Sequence, residues 1–412
     1  MRSSRLAVLA AAVFVACGGD DSQTDGGDAG NDADADAAIA YPAPHAAMPQ
    51  VVNSGGSVIA SPKLVAISFM NDPLQPDVDK FASDLVSSPN YWNGAVGEYG
   101  VGPIAQSFFH ANETPAASLA DADVRTWLAD KIQNDATFPK PDESTIYALF
   151  YPSGTNVSSL GGVTCEEFQG YHDSFPLGSS GDVIYAIVPR CAPPPVQGVT
   201  DADQMTAEAS HEVIEAATDP LPSSKPAYIT VDANSHAWEL LAGGEIGDLC
   251  GAYPNVFYVP PGFDHLMQRV WSNANAAASH DPCEPILGGA PTPYFNSAPV
   301  FGDTITVEVA GIPTKTQGVK LQVGAETTIE IDLYSDGPTS GPWTLSAVDI
   351  SSEFFGEKPA LQLTFDQTTG QNGDKVNLTI KYLRPVLGGA PFWIQNDLGG
   401  AQTFWLGAVN NI

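Results

Sequence analysis

The stretch "ASHEVIEAATDP", residues 209–220, differs by one residue from the His-Glu-x-x-His helix of zinc proteases: Glu215 stands where a second histidine would be. Thr200 and Asp203 can cap a helix that runs into this stretch, and Pro220 ends it, with Asp219 before it as an ordinary helix-stop residue. Met205, Ala209, Val213 and Ala216 form an apolar stripe along that helix. His211 and Glu215 are one turn apart on another face, and Glu208 shares it. Two ligands one turn apart are what a metal takes from a single helix. Glu212, beside the first of them, occupies the place of a metallohydrolase general base. The opposing reading is a solvated acidic face with His211 as an incidental neighbour. Against it, Glu208 and Glu212 are like charges at i,i+4, which costs an isolated helix about 0.2–0.5 kcal/mol.

A third ligand must come from elsewhere. The best source is "GGEIGDLCG", residues 243–251, where Glu245 and Asp248 sit in a Gly-rich segment. Its Glu-x-x-Asp spacing echoes zinc proteases that take a downstream Glu as third ligand. The set is therefore His211, Glu215 and Glu245, with Asp248 beside them, and Glu212 as base. One imidazole with carboxylates suits Zn²⁺ first, and also Ca²⁺ or Mn²⁺. His172, in "CEEFQGYHDS", is a candidate to reach the same cleft and polarise a substrate carbonyl; its alternative is a turn residue. His236, His265 and His280 read as structural, and neither a serine nucleophile elbow nor a phosphate loop is present.

Outward from the helix, "PKLVAISFM", "IAQSFFH", "TIYALFYP" and "DVIYAIVP" are apolar strand candidates. Two helical patterns lie among them, one with Val78, Phe81 and Leu85 on a face, the other with Val124, Trp127, Leu128 and Ile132 after a Ser118/Asp121 capping box. The order is that of an α/β layer closed by the motif helix. Regular pattern fades over 222–285, apart from a hairpin within "NVFYVPPGFDHLMQRVWSN". From 300 onward, short alternating strands separated by Gly, Asp and Pro turns predict an antiparallel β-sandwich with no catalytic cluster.

The chain has 412 residues, more than one typical domain. With 48 acidic and 16 basic residues its net charge of −32 repels phosphate backbones, which excludes nucleic acid as a partner. "MRSSR", the apolar run "LAVLAAAVFVA" and Cys17 form a targeting segment, with "FVAC" similar to a bacterial lipoprotein processing box. A lipid anchor at Cys17 would place the chain on the bacterial cell envelope; cleavage as a plain signal would make it secreted. Cys17→Ser should leave the membrane fraction, and a wild-type chain already wholly soluble would refute the anchor. Residues 18–48 open with an Asp/Gly/Ala-rich run and are expected to be a disordered tether. The remaining Cys165, Cys191, Cys250 and Cys283 suggest two disulfides; of three connectivities the two local pairs, 165–191 and 250–283, are preferred. The expected units are 1–17 signal, 18–48 tether, 49–285 α/β domain, 286–299 linker and 300–412 sandwich.

"GGSVIASPKLVAISF", "CEEFQGYH", "EAATDP" and "GGEIGDLCG", in that order, resemble the EXORDIUM-like, phosphate-induced family of secreted proteins and its bacterial zincin-like relatives over about residues 54–285. The resemblance implies a zincin-like mixed sheet with an active-site helix. It does not itself imply catalysis, since plant members are cell-wall proteins with no settled enzymatic activity. The expected function is a metal-dependent hydrolase acting on a peptide or cell-surface polymer. The alternative is a non-catalytic cell-surface module with a structural ion or none.

Overall fold

Strands Lys63–Phe69 (β1), Ala105–Ala111 (β2), Thr145–Phe150 (β3), Tyr171–Pro176 (β4) and Asp182–Val188 (β5) form one five-stranded sheet in the order β2-β1-β3-β5-β4. Pairings are parallel except at the edge, where β4 runs antiparallel to β5. The computed structural model describes residues 40–412 except 160, 192–197, 242, 286–292 and 354–355; Cys17, the signal segment and most of the expected tether lie outside the described residues.

The central strands read as unbroken apolar runs because both faces of the sheet are covered. Leu64, Ala66, Ile146, Ala148, Ile184 and Ala186 face helices Gln75–Ser87 (α1), Pro89–Val96 (α2) and Asp201–Thr218 (α4). Val65, Ile67, Tyr147, Leu149, Tyr185 and Ile187 face Asp121–Asn134 (α3), through its Val124, Leu128 and Ile132. The expected Ser118/Asp121 cap is corrected. Ser118 lies in a short strand, and the side chain of Asp123 accepts from the Ala120 N–H at 2.8 Å, so the cap is Ala120 and α3 starts at Asp121. At α4 the expected cap is present: Thr200 Oγ1 accepts from the Asp203 N–H, and Asp203 Oδ2 accepts from the Thr200 N–H, both at 3.1 Å.

The C-terminal unit has two sheets, Phe295–Pro299 (β6), Glu326–Ser335 (β9), Lys375–Tyr382 (β13) and Leu361–Phe365 (β11) in the order β6-β9-β13-β11, and a six-stranded one. The latter orders Asp303–Val309 (β7), Ile312–Lys320 (β8), Ala401–Asn410 (β15), Ala390–Leu398 (β14), Trp343–Asp349 (β10) and Thr369–Gly370 (β12) as β7-β8-β15-β14-β10-β12. Phe295, Ile331, Leu333 and Leu378 of one sheet share a core with Trp343, Leu345, Phe392 and Val409 of the other, which makes a β-sandwich. It is not wholly antiparallel: β8 meets β15 in parallel over Val319–Val409. Its first strand, β6, lies in what reads as linker.

Residues 40–48 are not tether. Ala43 and Met48 are buried, the Ala43 N–H donates to Asn372 Oδ1 at 3.0 Å, and His45 stacks on Tyr334 with ring centroids 3.5 Å apart. Pro and apolar residues in this stretch give it these contacts. Nor do the two units have separate cores. Trp238 packs against Trp271 of its own unit and against Phe404 and Trp405 of β15, and Tyr253 lies 4.3 Å from Phe404. The 222–285 segment that supplies these rings is tied by the 250–283 disulfide, and 165–191 is also formed. Both preferred pairings are present, as suits an exported chain. Within the segment, Phe257–Tyr258 and Met267–Gln268 pair as the short hairpin.

Candidate metal centre

The acidic side chains of α4 are not a solvated face. Side chains of Glu212 and Glu215 are only 5% and 3% exposed. Glu208, His211, Glu215 and Asp219 follow one another at intervals of three or four residues, and Glu212 is four after Glu208, so they line one face, and that face is covered by two other segments.

The first cover is the edge strand β4. His172 pairs with Ala186, whose side chain faces α4, and paired residues share a face, so His172 also points at the helix. Its neighbours point the other way: Arg125 bonds Asp173, and the Tyr171 hydroxyl donates to Asp121. These bonds hold the register that aims the imidazole. Nδ1 of His172 is 3.5 Å from Glu212 Oε2 and 3.8 Å from Glu215 Oε2; Nε2 is 3.7 Å from Glu245 Oε1 and 3.1 Å from the Asp219 carbonyl oxygen. Gly170, just before this strand, abuts Glu208, and a Cβ there would collide with its carboxylate.

The second cover is the Gly-rich turn. A Cβ on Gly247 would lie 2.7 Å from Glu215 Oε1 and 2.8 Å from His211 Nδ1, so only glycine lets the turn close on the helix. Closure brings Asp248 Oδ1 to 3.8 Å from His211 Nε2, which is itself 3.0 Å from Glu215 Oε2. Gln268, from the hairpin, orients this histidine. Its Nε2–H donates to the Gly247 carbonyl oxygen at 2.8 Å, which leaves Oε1 to accept from His211 Nδ1–H at 3.2 Å. The Nε2 lone pair of His211 then faces the carboxylates, as a ligand nitrogen should.

His211, Glu215 and Asp248 therefore offer donor atoms to one point; Glu245 instead joins His172 and Asp219. Of the expected set, Asp248 takes the place read for Glu245. Asp219, read as a helix stop, has its carboxylate wholly buried in the cluster. His236, His265 and His280 pair with Glu239, Asp203 and Asp336, away from it. Side chains of His211, Asp248 and Glu245 are 16%, 22% and 15% exposed, against 4% for His172, so the cluster meets solvent on the Gly-rich side.

Burial, with Glu212 beside it, pushes the Glu208 carboxyl up to about 8. Burial and Glu215 hold Glu245 and Asp248 well above the usual carboxylate range. Burial would depress both imidazoles, but the carboxylates outweigh it: Glu245, Glu212 and Glu215 raise His172 to about 10, and Glu215 raises His211 well above its ordinary value. Glu215 Oε1, Glu245 Oε1 and Asp219 Oδ2 are buried with no hydrogen-bond partner among the described residues. Such atoms cost free energy unless a hydrogen-bond donor or a cation meets them. Two ligands about 2.1 Å from one tetrahedral ion lie roughly 3.4 Å apart; the 3.0 and 3.8 Å spacings around His211 Nε2 bracket that. The donor set fits a divalent cation.

No family model matches the chain, and no curated protein matches it. Solved structures similar to it include a chimeric titin Z1Z2 carrying a KLER peptide from decorin (15% identity, 27% of this chain and 90% of that one, TM-score 0.16) and the titin M3 domain (12%, 23% and 85%, 0.15). Another is the archaellum periplasmic stator complex of FlaF and FlaG from Sulfolobus acidocaldarius (10%, 30% and 94%, 0.15). Likenesses this low say nothing of the site. Among the described residues no helix is long and apolar enough to cross a membrane.

Proposed function

We propose that this chain is a metal-dependent hydrolase of zincin-like type, exported and lipid-anchored at Cys17, acting on a peptide or a cell-surface polymer. The observation that carries the reading is the convergence of His211, Glu215 and Asp248 on one point, with the other Glu215 oxygen, Oε1, buried and without a hydrogen-bond partner among the described residues. Three of the segments that resemble EXORDIUM-like proteins, "CEEFQGYH", "EAATDP" and "GGEIGDLCG", supply His172, Glu215, Asp219, Glu245 and Asp248 to this one cluster. That supports kinship with the family's zincin-like bacterial branch.

His211, Glu215 and Asp248 would hold the cation, Zn²⁺ first, with Ca²⁺ or Mn²⁺ also suited to the oxygens. Bound there, a divalent ion supplies Lewis acidity toward a carbonyl oxygen. Glu212 follows His211 and turns its Oε2 toward His172 Nδ1. Ionised, it would take the proton of the attacking water and return it to the leaving group. His172 would hold Glu212 in place through Nδ1–H. It is about as covered as Glu212, and in this reading its part is positioning. Gln268 would keep His211 in its ligand tautomer.

One observation favours a structural ion in a non-catalytic surface module: Glu212 and His172 are almost wholly covered. Metal analysis of the purified full-length chain, with activity measured on a mixed peptide substrate before and after chelation, separates the two. The proposal expects stoichiometric metal, stripped by His211→Ala or Glu215→Ala, and turnover lost with the metal. Metal without turnover on any peptide or envelope polymer would leave the structural ion. Stoichiometric metal that survives His211→Ala would overturn the assignment.

A further inference from the structure

Besides the group His172, Glu212 and Glu215, the cluster contains two donor sets with no residue in common. One is His211, Glu215 and Asp248; the other is His172, Asp219 and Glu245, and each is one imidazole with two carboxylates. They meet where Glu215 Oε2 lies 3.8 Å from His172 Nδ1. The second set is deeper: Asp219 is 0% exposed and the His172 side chain 4%.

Its hydrogen bonding is incomplete. Nε2 of His172 faces the Asp219 carbonyl oxygen at 3.1 Å and Glu245 Oε1 at 3.7 Å. A proton on Nε2 serves the carbonyl and leaves Glu245 Oε1 without a hydrogen bond. Asp219 uses Oδ1 to accept from the Ala227 N–H at 2.6 Å, and its Oδ2 is left over, buried and unpaired. A cation in that place would serve all of these atoms together. With the ring proton on Nδ1, donated to Glu212, the Nε2 lone pair is free to bind it, an arrangement in which a carboxylate fixes the tautomer of a ligand histidine.

We propose that the chain holds a second divalent cation, bound by His172, Asp219 and Glu245 beside the first. This rests on the metal-centre reading above. It explains why the cluster carries more carboxylates than one ion and a general base use. The pair of sites has the composition of a centre that clamps two oxygens of a hydrolytic transition state.

The test is metal content of the full-length chain after dialysis against Zn²⁺ alone, and in parallel Mn²⁺ alone, with Asp219→Asn and Glu245→Gln as variants. The first substitution keeps the Oδ1 acceptor for the Ala227 N–H, and the second keeps the shape of the parent side chain; circular dichroism reports whether each folds. The expected result is about two equivalents per chain in wild type and about one in either variant, with His211→Ala also losing one. About one equivalent in wild type, unchanged in both variants and lost in His211→Ala, overturns the second site and leaves the first. No bound metal in wild type overturns both. Two equivalents that survive both variants place the second ion elsewhere and overturn this inference alone.

Discussion

Glu212→Gln should retain the metal of the wild-type chain and lose turnover by about 10²–10⁴-fold, the range a positioned general base contributes. The substitution keeps the size of the side chain and one acceptor oxygen for His172 Nδ1, so the buried contacts around it persist. What it removes is the group that takes the proton. Glu215→Ala, one turn on, should fail differently, because its carboxylate is 3.0 Å from His211 Nε2 in the donor set itself. It should lose metal and turnover together. Metal content and rate measured on the same preparations separate the two. A Glu212→Gln chain with normal turnover would show that the proton goes to another group. One that loses its metal would make Glu212 a ligand.

That contrast turns on residues close together on one helix, and this is the part of the site most legible in sequence. Helical spacing alone places Glu208, His211, Glu212 and Glu215 together, and the Thr200/Asp203 cap and Pro220 stop bound the helix correctly. Whether the face is solvated or buried is not in the spacing, because that depends on what covers it. The covers are an edge strand and a glycine turn. The strand, β4, has a polar centre, His-Asp-Ser, and its apolar residues are too few to signal a strand. His172 consequently reads as a turn residue or a cleft residue, while its aim follows from pairing with Ala186. In the turn, the three-residue spacing of Glu245 and Asp248 says that both can approach but not which meets His211. The short helical turn at Asp248–Gly251 decides it, by lifting Asp248 toward the helix. Asp219 was legible in principle, since it follows Glu208 by about three helical turns, but its place before Pro220 offers a simpler reading. Gln268 carries no sequence signal at all. It matters through two hydrogen bonds made possible by a hairpin far along the chain.

The division into two units was legible as a change of period and hides a shared core, and Trp238→Ala tests that core. Trp238 is 2% exposed and sits in a short helical turn just before the glycine segment. Its indole lies 5.6 Å from Trp271, 6.3 Å from Phe404 and 5.8 Å from Trp405, rings from both units. Deleting a buried tryptophan removes its apolar contact and leaves a cavity that its neighbours fill only in part, at a cost of about 3–5 kcal/mol. Two independent domains would show two unfolding transitions, with only the first moved by the substitution. A common core predicts one cooperative transition in wild type, shifted down as a whole. The rings also support the segment that carries Glu245 and Asp248, with the Trp271 backbone N–H donating to the Ile246 carbonyl oxygen at 2.7 Å. Trp238→Ala should therefore weaken metal retention as well, although the residue touches none of the donor atoms. Calorimetry of the full-length chain with and without chelator reads both effects. Separate transitions in wild type would confine the damage to one unit and dismiss the shared core.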